Sequence, residues 1–198
     1  MRRGVQPTVR GSGRAALLAL DLITDFEFPD GPAVRRALRR HAAAICTLLQ
    51  RARAHRIPVL YVNDNLGAWR SDAPALIAHC LQPRRAGAGL IRPMCPTATD
   101  EILLKPRHSA FFGTPLEPLL REHRVDTLLL LGISAESCVW MTACDAHTRG
   151  YRLVIPADTM AGASARALRA TLTGLQDVLG ARVPAHAASL RFDAGRLR

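Results

Sequence analysis

Lysine is almost missing from this chain: of its 27 basic residues, only Lys105 is not an arginine. A sequence that avoids lysine and keeps one marks that residue for work arginine does not do, such as placing a compact ammonium beside a reactive group. Aromatics are also scarce, at 5%. No interleaving of aromatic and basic residues suited to stacking bases is present, which removes the platforms expected of a specific nucleic-acid binder. The formal charge of +11 therefore reads as a chain-wide arginine bias, with clusters at Arg35-Arg36 and Arg39-Arg40. No specific nucleic-acid partner is expected. The five cysteines, Cys46, Cys80, Cys95, Cys138 and Cys144, are widely spaced and include no C-x-x-C pair. That argues against a disulfide framework or a zinc knuckle and points to a reducing cytoplasm. Apolar runs are too short to span a bilayer, so no membrane partner is expected. No apolar stretch of the secretory kind follows the charged N-terminus, so no leader is expected. No G-x-G-x-x-G follows the first apolar run, and a dinucleotide site has no support.

What is present is alternation. The 198 residues are 48% hydrophobic, enough for a single domain over 14–198 behind a flexible basic tail at 1–13. Ala15–Leu20 reads as a buried strand. Ala33–His55 carries Val34, Leu38, Ile45, Leu48 and Leu49 near helical spacing, an amphipathic helix. Further strands are expected at 57–62, 101–104, 125–131 and 151–156. Short helices are expected at 74–80 and from Pro115, with another over 165–179 capped by Ser164. Residues 187–192 read as a final edge segment, and 66–100, rich in Gly, Pro, Ala and Arg, as a lid or oligomer contact. The order is that of right-handed βαβ units: a Rossmann-like three-layer α/β/α fold with a parallel sheet of five to six strands. Ligands of such sheets bind outside the carboxyl ends of the strands. Asp21, Asn63–Asn65, Lys105, Ser134–Cys138 and Asp158 all fall at or just past those ends.

The most informative stretch runs from Leu128 to Ala146. Four leucines end in Gly132, small and polar residues follow, and a helical pattern begins at Val139. Cys138 then lies at or near a helix's first turn, where unpaired N–H groups and the helix dipole favour a thiolate. A thiol nucleophile needs a base and a cation. Asp21 is the candidate base, for the thiol and later for water, and Lys105 the candidate cation. The N–H groups of Ser134 and Cys138 are candidate oxyanion donors. Each residue alone also has a plain reading: Cys138 as a core thiol, Asp21 as a turn cap, Lys105 as a solvated lysine.

Three segments carry a family resemblance. Ala16-Leu-Leu-Ala-Leu-Asp-Leu-Ile-Thr-Asp-Phe26, Lys105-Pro-Arg-His-Ser-Ala-Phe111 and Gly132-Ile-Ser-Ala-Glu-Ser-Cys-Val139, with Thr142-Ala-Cys-Asp-Ala146, resemble in the same order the isochorismatase-like cysteine hydrolases. The resemblance covers about residues 14–180. It implies that family's fold, a catalytic triad of Asp21, Lys105 and Cys138, and a cis peptide at Ile133–Ser134 presenting the Ser134 N–H to the oxyanion. It also implies a small-molecule substrate, no cofactor and a homo-oligomer. Nicotinamidases of the family add a metal site with Asp-x-His after the second strand. Here that stretch is Asp64-Asn-Leu66, so no metal is expected. Phe26, Asn63, Asn65, Trp69 and Phe111 are candidate substrate contacts, and Arg70, Arg84, Arg85 and Arg92 candidate carboxylate partners, although surface roles are the simpler reading for these arginines. Cys138 favours cleavage of an amide or ureide C–N bond. The alternatives are a vinyl-ether hydrolase led by Asp21 and a non-catalytic scaffold of the same fold.

Overall fold

A computed structural model describes residues 13–70 and 72–197. The expected tail over 1–13 lies, apart from Gly13, outside the described residues. Five parallel strands form the main sheet: β1 (Ala15–Leu20), β2 (Val59–Asp64), β3 (Glu101–Lys105), β4 (Thr127–Gly132) and β5 (Arg152–Val154). Their spatial order is β3-β2-β1-β4-β5. The chain winds outward from β1 to β3, then returns to β4 on the other side of β1. The order therefore reverses between β1 and β4, where such sheets form their ligand crevice.

Every residue of β1 and of β4 is buried. This is why both read as continuous apolar runs rather than alternating ones. One face is covered by α1 (Gly31–Ala54), whose Val34, Leu38, Ile45 and Leu48 pack with Leu17 and Ala19. Helices α2 (Ala73–Cys80) and α3 (Ala88–Ile91) extend this layer. The other face packs Leu18 and Leu20 against α4 (Leu116–Glu122), α5 (Trp140–Thr148) and α6 (Ala165–Asp177). These are the three layers expected. Ser164 caps α6 as expected, its Oγ accepting the Ala167 N–H at 3.1 Å.

Several boundaries differ from the sequence expectation, each for a local reason. β2 starts two residues late: the Ile57 N–H closes α1 on Ala52 O, and Pro58, with no N–H of its own, gives only its carbonyl to Leu17. It also runs on through Asn63 and Asp64, which therefore belong to the strand and do not lie past its end. β4 starts late because the Val125 N–H returns to Leu120 O at the end of α4. β5 stops at Val154, and the next N–H, that of Ile155, goes to Arg182 O. The C-terminal segment does not join the main sheet. It forms a 3₁₀ turn at Ala187–Ser189 and a separate hairpin of β6 (Phe192–Asp193) and β7 (Arg196–Leu197). Its turn holds Ala194 and Gly195 at φ 42° and 83°, the left-handed pair that a two-residue hairpin loop needs.

Gly132 is the tightest point between β4 and β1. Its φ is +128°, and a Cβ there would lie 2.0 Å from Leu20 O. Both the backbone angle and the space exclude a side chain. Gly132→Ala is expected to lower stability by about 4–5 kcal/mol, read as a urea midpoint shift or as loss of soluble protein.

Candidate active site

The strand order explains why residues 84 and 117 positions apart from Asp21 meet it at one end of the sheet. Asp21 follows β1 directly and Lys105 ends β3, and β2 lies between the two strands. Asp64, the last residue of β2, pairs in register with Lys105 and donates its N–H to Asp21 Oδ1 at 2.6 Å. Asp21 adopts φ 49°, and its own N–H bonds Val62 O. Lys105 is fully buried. Its Nζ lies 2.9 Å from Asp21 Oδ2 and donates to Cys138 Sγ at 3.5 Å. The three residues expected to act together are thus in contact around one ammonium.

Cys138 does not sit in the first turn of an α-helix. It lies in a π-helical turn, Ala135–Val139, that leads into α5. The marker is the Val139 N–H, which reaches five residues back to Ser134 O. The turn is braced from behind. The Ala135 N–H bonds Ala161 O, the Ala161 N–H bonds Gly132 O, and Glu136 Oε1 accepts the Ala163 N–H at 2.7 Å. Gly162 leaves room for that carboxylate: a Cβ there would stand 2.3 Å from Glu136 Oε2. The Ile133–Ser134 peptide is cis.

The electrostatics differ from the helix-terminus expectation. Burial, and then the Asp21 carboxylate, push the Cys138 thiol up to about 12. Burial also raises the Asp21 carboxyl, against the opposing pull of Lys105. Burial alone would lower the Lys105 ammonium, but Asp21 and Cys138 outweigh it and hold the group charged. The resting site therefore holds a thiol beside a carboxylate of raised proton affinity. Such a pair favours transfer of the proton as the sulfur attacks, rather than a standing thiolate.

A cavity of about 310 Å³ opens onto these groups. Asp21, Thr24, Asn63, Asp64, His108, Ser134, Ser137 and Cys138 form its polar lining, with Ile23, Phe28, Leu66 and Ile133 as apolar wall. Cavities of about 670 Å³ beside β5 and about 710 Å³ beside α2 are larger. Neither contains a nucleophile placed against a base, so chemistry and not size selects the site.

The expected substrate contacts divide. Asn63 lines the cavity and is buried, its Nδ2 donating to Ile23 O at 2.6 Å, so it also fixes the Asp21–Thr24 wall. Asn65 borders the neighbouring cavity beside α2 instead. Phe26, at φ 60°, turns into the α1-side core against Gly87, and Phe28 takes the place on the wall. Phe111 packs on Tyr151 and under the Arg149 guanidinium. Trp69 is 78% exposed. Neither lines the cavity. Asp158 is also elsewhere, accepting the Ala187 N–H at 2.8 Å and facing His186. Arg70, Arg84, Arg85 and Arg92 are not among the cavity residues, and Arg85 pairs with Glu27.

His108 was not singled out from the sequence. It lies three residues after Lys105, inside the quoted motif. Its Nδ1 is 3.7 Å from Cys138 Sγ and 3.2 Å from Ser137 Oγ. Among the described residues, no group of three or more His, Cys, Asp or Glu side chains is placed to hold a metal ion. Among them too, no helix is long and apolar enough to cross a membrane.

Comparison with known proteins shows the family and the fold. The profile of the isochorismatase domain matches residues 15–186. An uncharacterized isochorismatase family protein, YaaI of Bacillus subtilis, is 34% identical over 168 residues, covering 85% of this chain and 92% of that protein. N-carbamoylsarcosine amidase of an Arthrobacter species is 28% identical over 170 residues, which cover 80% of this chain but only 63% of the amidase. An isochorismatase family protein from Desulfovibrio vulgaris superposes with a TM-score of 0.69 at 28% identity, covering 86% of this chain and 94% of that one.

Proposed function

This chain belongs to the isochorismatase family of hydrolases, and from that premise we propose that it is a cysteine hydrolase cleaving the C–N bond of a small amide or ureide through a thioester. The observation that carries the reading is the single buried ammonium of Lys105 shared between Asp21 at 2.9 Å and Cys138 at 3.5 Å, both of which line a cavity sized for a small molecule. In the proposed reaction, Cys138 Sγ attacks the substrate carbonyl as its proton moves to Asp21. Lys105 offsets the negative charge that builds up on the sulfur and the carboxylate. The N–H groups of Ser134 and Cys138 hold the oxyanion; removing one such donor typically costs about 3–4 kcal/mol of transition-state stabilisation. Asp21 then protonates the departing nitrogen, the C–N bond breaks, and an acyl group remains on Cys138. Water hydrolyses this thioester and regenerates the thiol. No step in this sequence requires a cofactor.

The amidase relative acts, by its name, on N-carbamoylsarcosine. Others are a maleamate amidohydrolase and ureidoacrylate amidohydrolases. These substrates set the first screen. Purified protein is incubated with N-carbamoylsarcosine, maleamate, ureidoacrylate and nicotinamide, and ammonia release is followed for the wild type and Cys138→Ala. Release that depends on Cys138 supports the reading. Cleavage of isochorismate that survives Cys138→Ala would replace it with a vinyl-ether hydrolysis led by Asp21.

A pH dependence follows from the raised Asp21 carboxyl. A protonated Asp21 cannot accept the thiol proton, so activity falls as pH falls through the Asp21 pKa. Because burial raises that pKa, the acid limb of kcat/KM is expected above the usual carboxylate range of about 4. An acid limb at or below that range would contradict the assignment.

A further inference from the structure

We propose that His108 is a second proton carrier at the nucleophile, serving the hydrolysis of the thioester while Asp21 serves its formation. The inference rests on the cysteine-hydrolase reading above and divides its two halves between two bases. The geometry is specific. His108 Nδ1 faces both Ser137 Oγ at 3.2 Å and Cys138 Sγ at 3.7 Å. Both contacts fall on the same ring nitrogen. A neutral imidazole that accepts there carries its proton on Nε2 and leaves Nδ1 as the basic atom beside the sulfur. Ser137 orients the ring.

The loop bearing His108 is held in place from the next residues. Ser109 Oγ donates to Asp145 Oδ2 on α5, and the Ala110 N–H donates to Thr142 Oγ1 at 3.0 Å. His108 itself is exposed, whereas Asp21 is buried. Water that replaces the departed amine enters from the solvent side, where it meets the imidazole. Asp21 is enclosed by other partners: Oδ1 holds the Asp64 N–H and Oδ2 holds Lys105. The titratable and charged groups sharing the cavity wall or its floor with His108 are Asp21, Asp64, Lys105 and Cys138. Of these, Lys105 is held protonated and Asp21, which serves the first half of the reaction, is buried, whereas the imidazole is a base open to solvent.

The step balances. The water oxygen bonds to the thioester carbonyl carbon, and one water proton moves to His108 Nδ1. The C–S bond breaks, releasing the carboxylic acid and a Cys138 thiolate. The imidazolium then returns its proton across the 3.7 Å contact, and the thiol is restored. No co-reactant beyond water is needed.

The test uses p-nitrophenyl acetate as an acyl donor, with the whole protein. The p-nitrophenolate burst reports acetylation of Cys138. Intact mass and peptide mapping then follow loss of the acetyl group after the excess ester is removed. The same is done for His108→Gln and for Ser137→Ala. The expected result is that His108→Gln slows acetyl loss at least about tenfold more than it slows the burst, within the range of general-base effects. Added imidazole should restore part of the acetyl-loss rate in His108→Gln. Ser137→Ala should weaken the effect without abolishing it. Equal acetyl-loss rates in wild type and His108→Gln overturn the proposal, as does equal slowing of both steps. A wild type that is never acetylated at Cys138 overturns the thioester reading itself, and this inference with it.

Discussion

Replacing Cys138 with alanine is expected to reduce amide hydrolysis by about 10⁴- to 10⁶-fold, the loss typical of removing a covalent nucleophile. The fold should survive, because Cys138 is only partly buried and the turn around it is held by backbone bonds that do not use its sulfur. Thermal unfolding and circular dichroism should match the wild type within error. The size of the loss discriminates between chemistries. If sulfur forms the thioester, no neighbouring hydroxyl or imidazole can take its place, since Thr24, His108, Ser134 and Ser137 on the cavity wall make no contact with the Lys105 ammonium that lies 3.5 Å from the sulfur. If Asp21 leads an ether hydrolysis, the loss should be small. Steady-state rates of ammonia release on the best substrate of the screen give the comparison.

Lys105→Met should produce the second large effect, on stability as well as activity. Lys105 is fully buried, and its ammonium is the cationic partner of Asp21. Methionine fills most of the volume but leaves a buried carboxylate with no counter-charge, and breaking such a pair typically costs about 3–5 kcal/mol. The loss should depend on pH in a stated direction. Without the ammonium, the Asp21 carboxyl, already raised by burial, moves further up. A carboxyl whose folded pKa is raised favours the folded state when protonated, so the penalty is small at low pH and grows as pH rises through that pKa. Urea unfolding of Lys105→Met and wild type at about pH 5 and about pH 8 should show the gap widening at the higher pH. Activity should fall by about 10⁴-fold, with the remaining acid limb displaced to higher pH. A gap that narrows toward pH 8 would mean that Lys105 does not hold the Asp21 charge.

The frame of this molecule was readable because its central strands are buried on both faces. Ala15–Leu20 and the leucines of 128–131 carry no alternation, and the sheet they form is enclosed by helices on each side. Asp21, Lys105 and Cys138 meet for the same reason: Asp21 follows β1, Lys105 ends β3, Cys138 lies in the turn after β4, and the switch in strand order lies between β1 and β4. What could not be read depended on local backbone or on distant packing. A π turn differs from an α turn by one residue in its hydrogen bonding, which hydrophobic spacing does not resolve, so the sequence places Cys138 only at or near a helix's first turn. Phe26 follows the Asp-Phe pattern, but its left-handed φ sends the ring toward Gly87 and the core. His108 faces a sulfur 30 residues ahead, a contact created by the loop's attachment to α5 through Ser109 and Ala110. Between 66 and 100, the short helix expected at 74–80 is present as Ala73–Cys80, and a further turn at Ala88–Ile91 stands where composition shows only irregularity. Asp72 caps the first of them on the Ala75 N–H at 2.8 Å, a signal the sequence did carry.

The most direct measurement is capture of the acyl intermediate. Wild-type protein is mixed with an amide that supports ammonia release, quenched in acid within the first turnovers, and examined by intact mass and peptide mapping. The expected result is an added mass equal to the substrate's acyl group, located on the peptide containing Cys138, removed by hydroxylamine and absent from Cys138→Ala. Ammonia release with no adduct on Cys138 at any quench time, together with turnover by Cys138→Ala at wild-type rates, would contradict it.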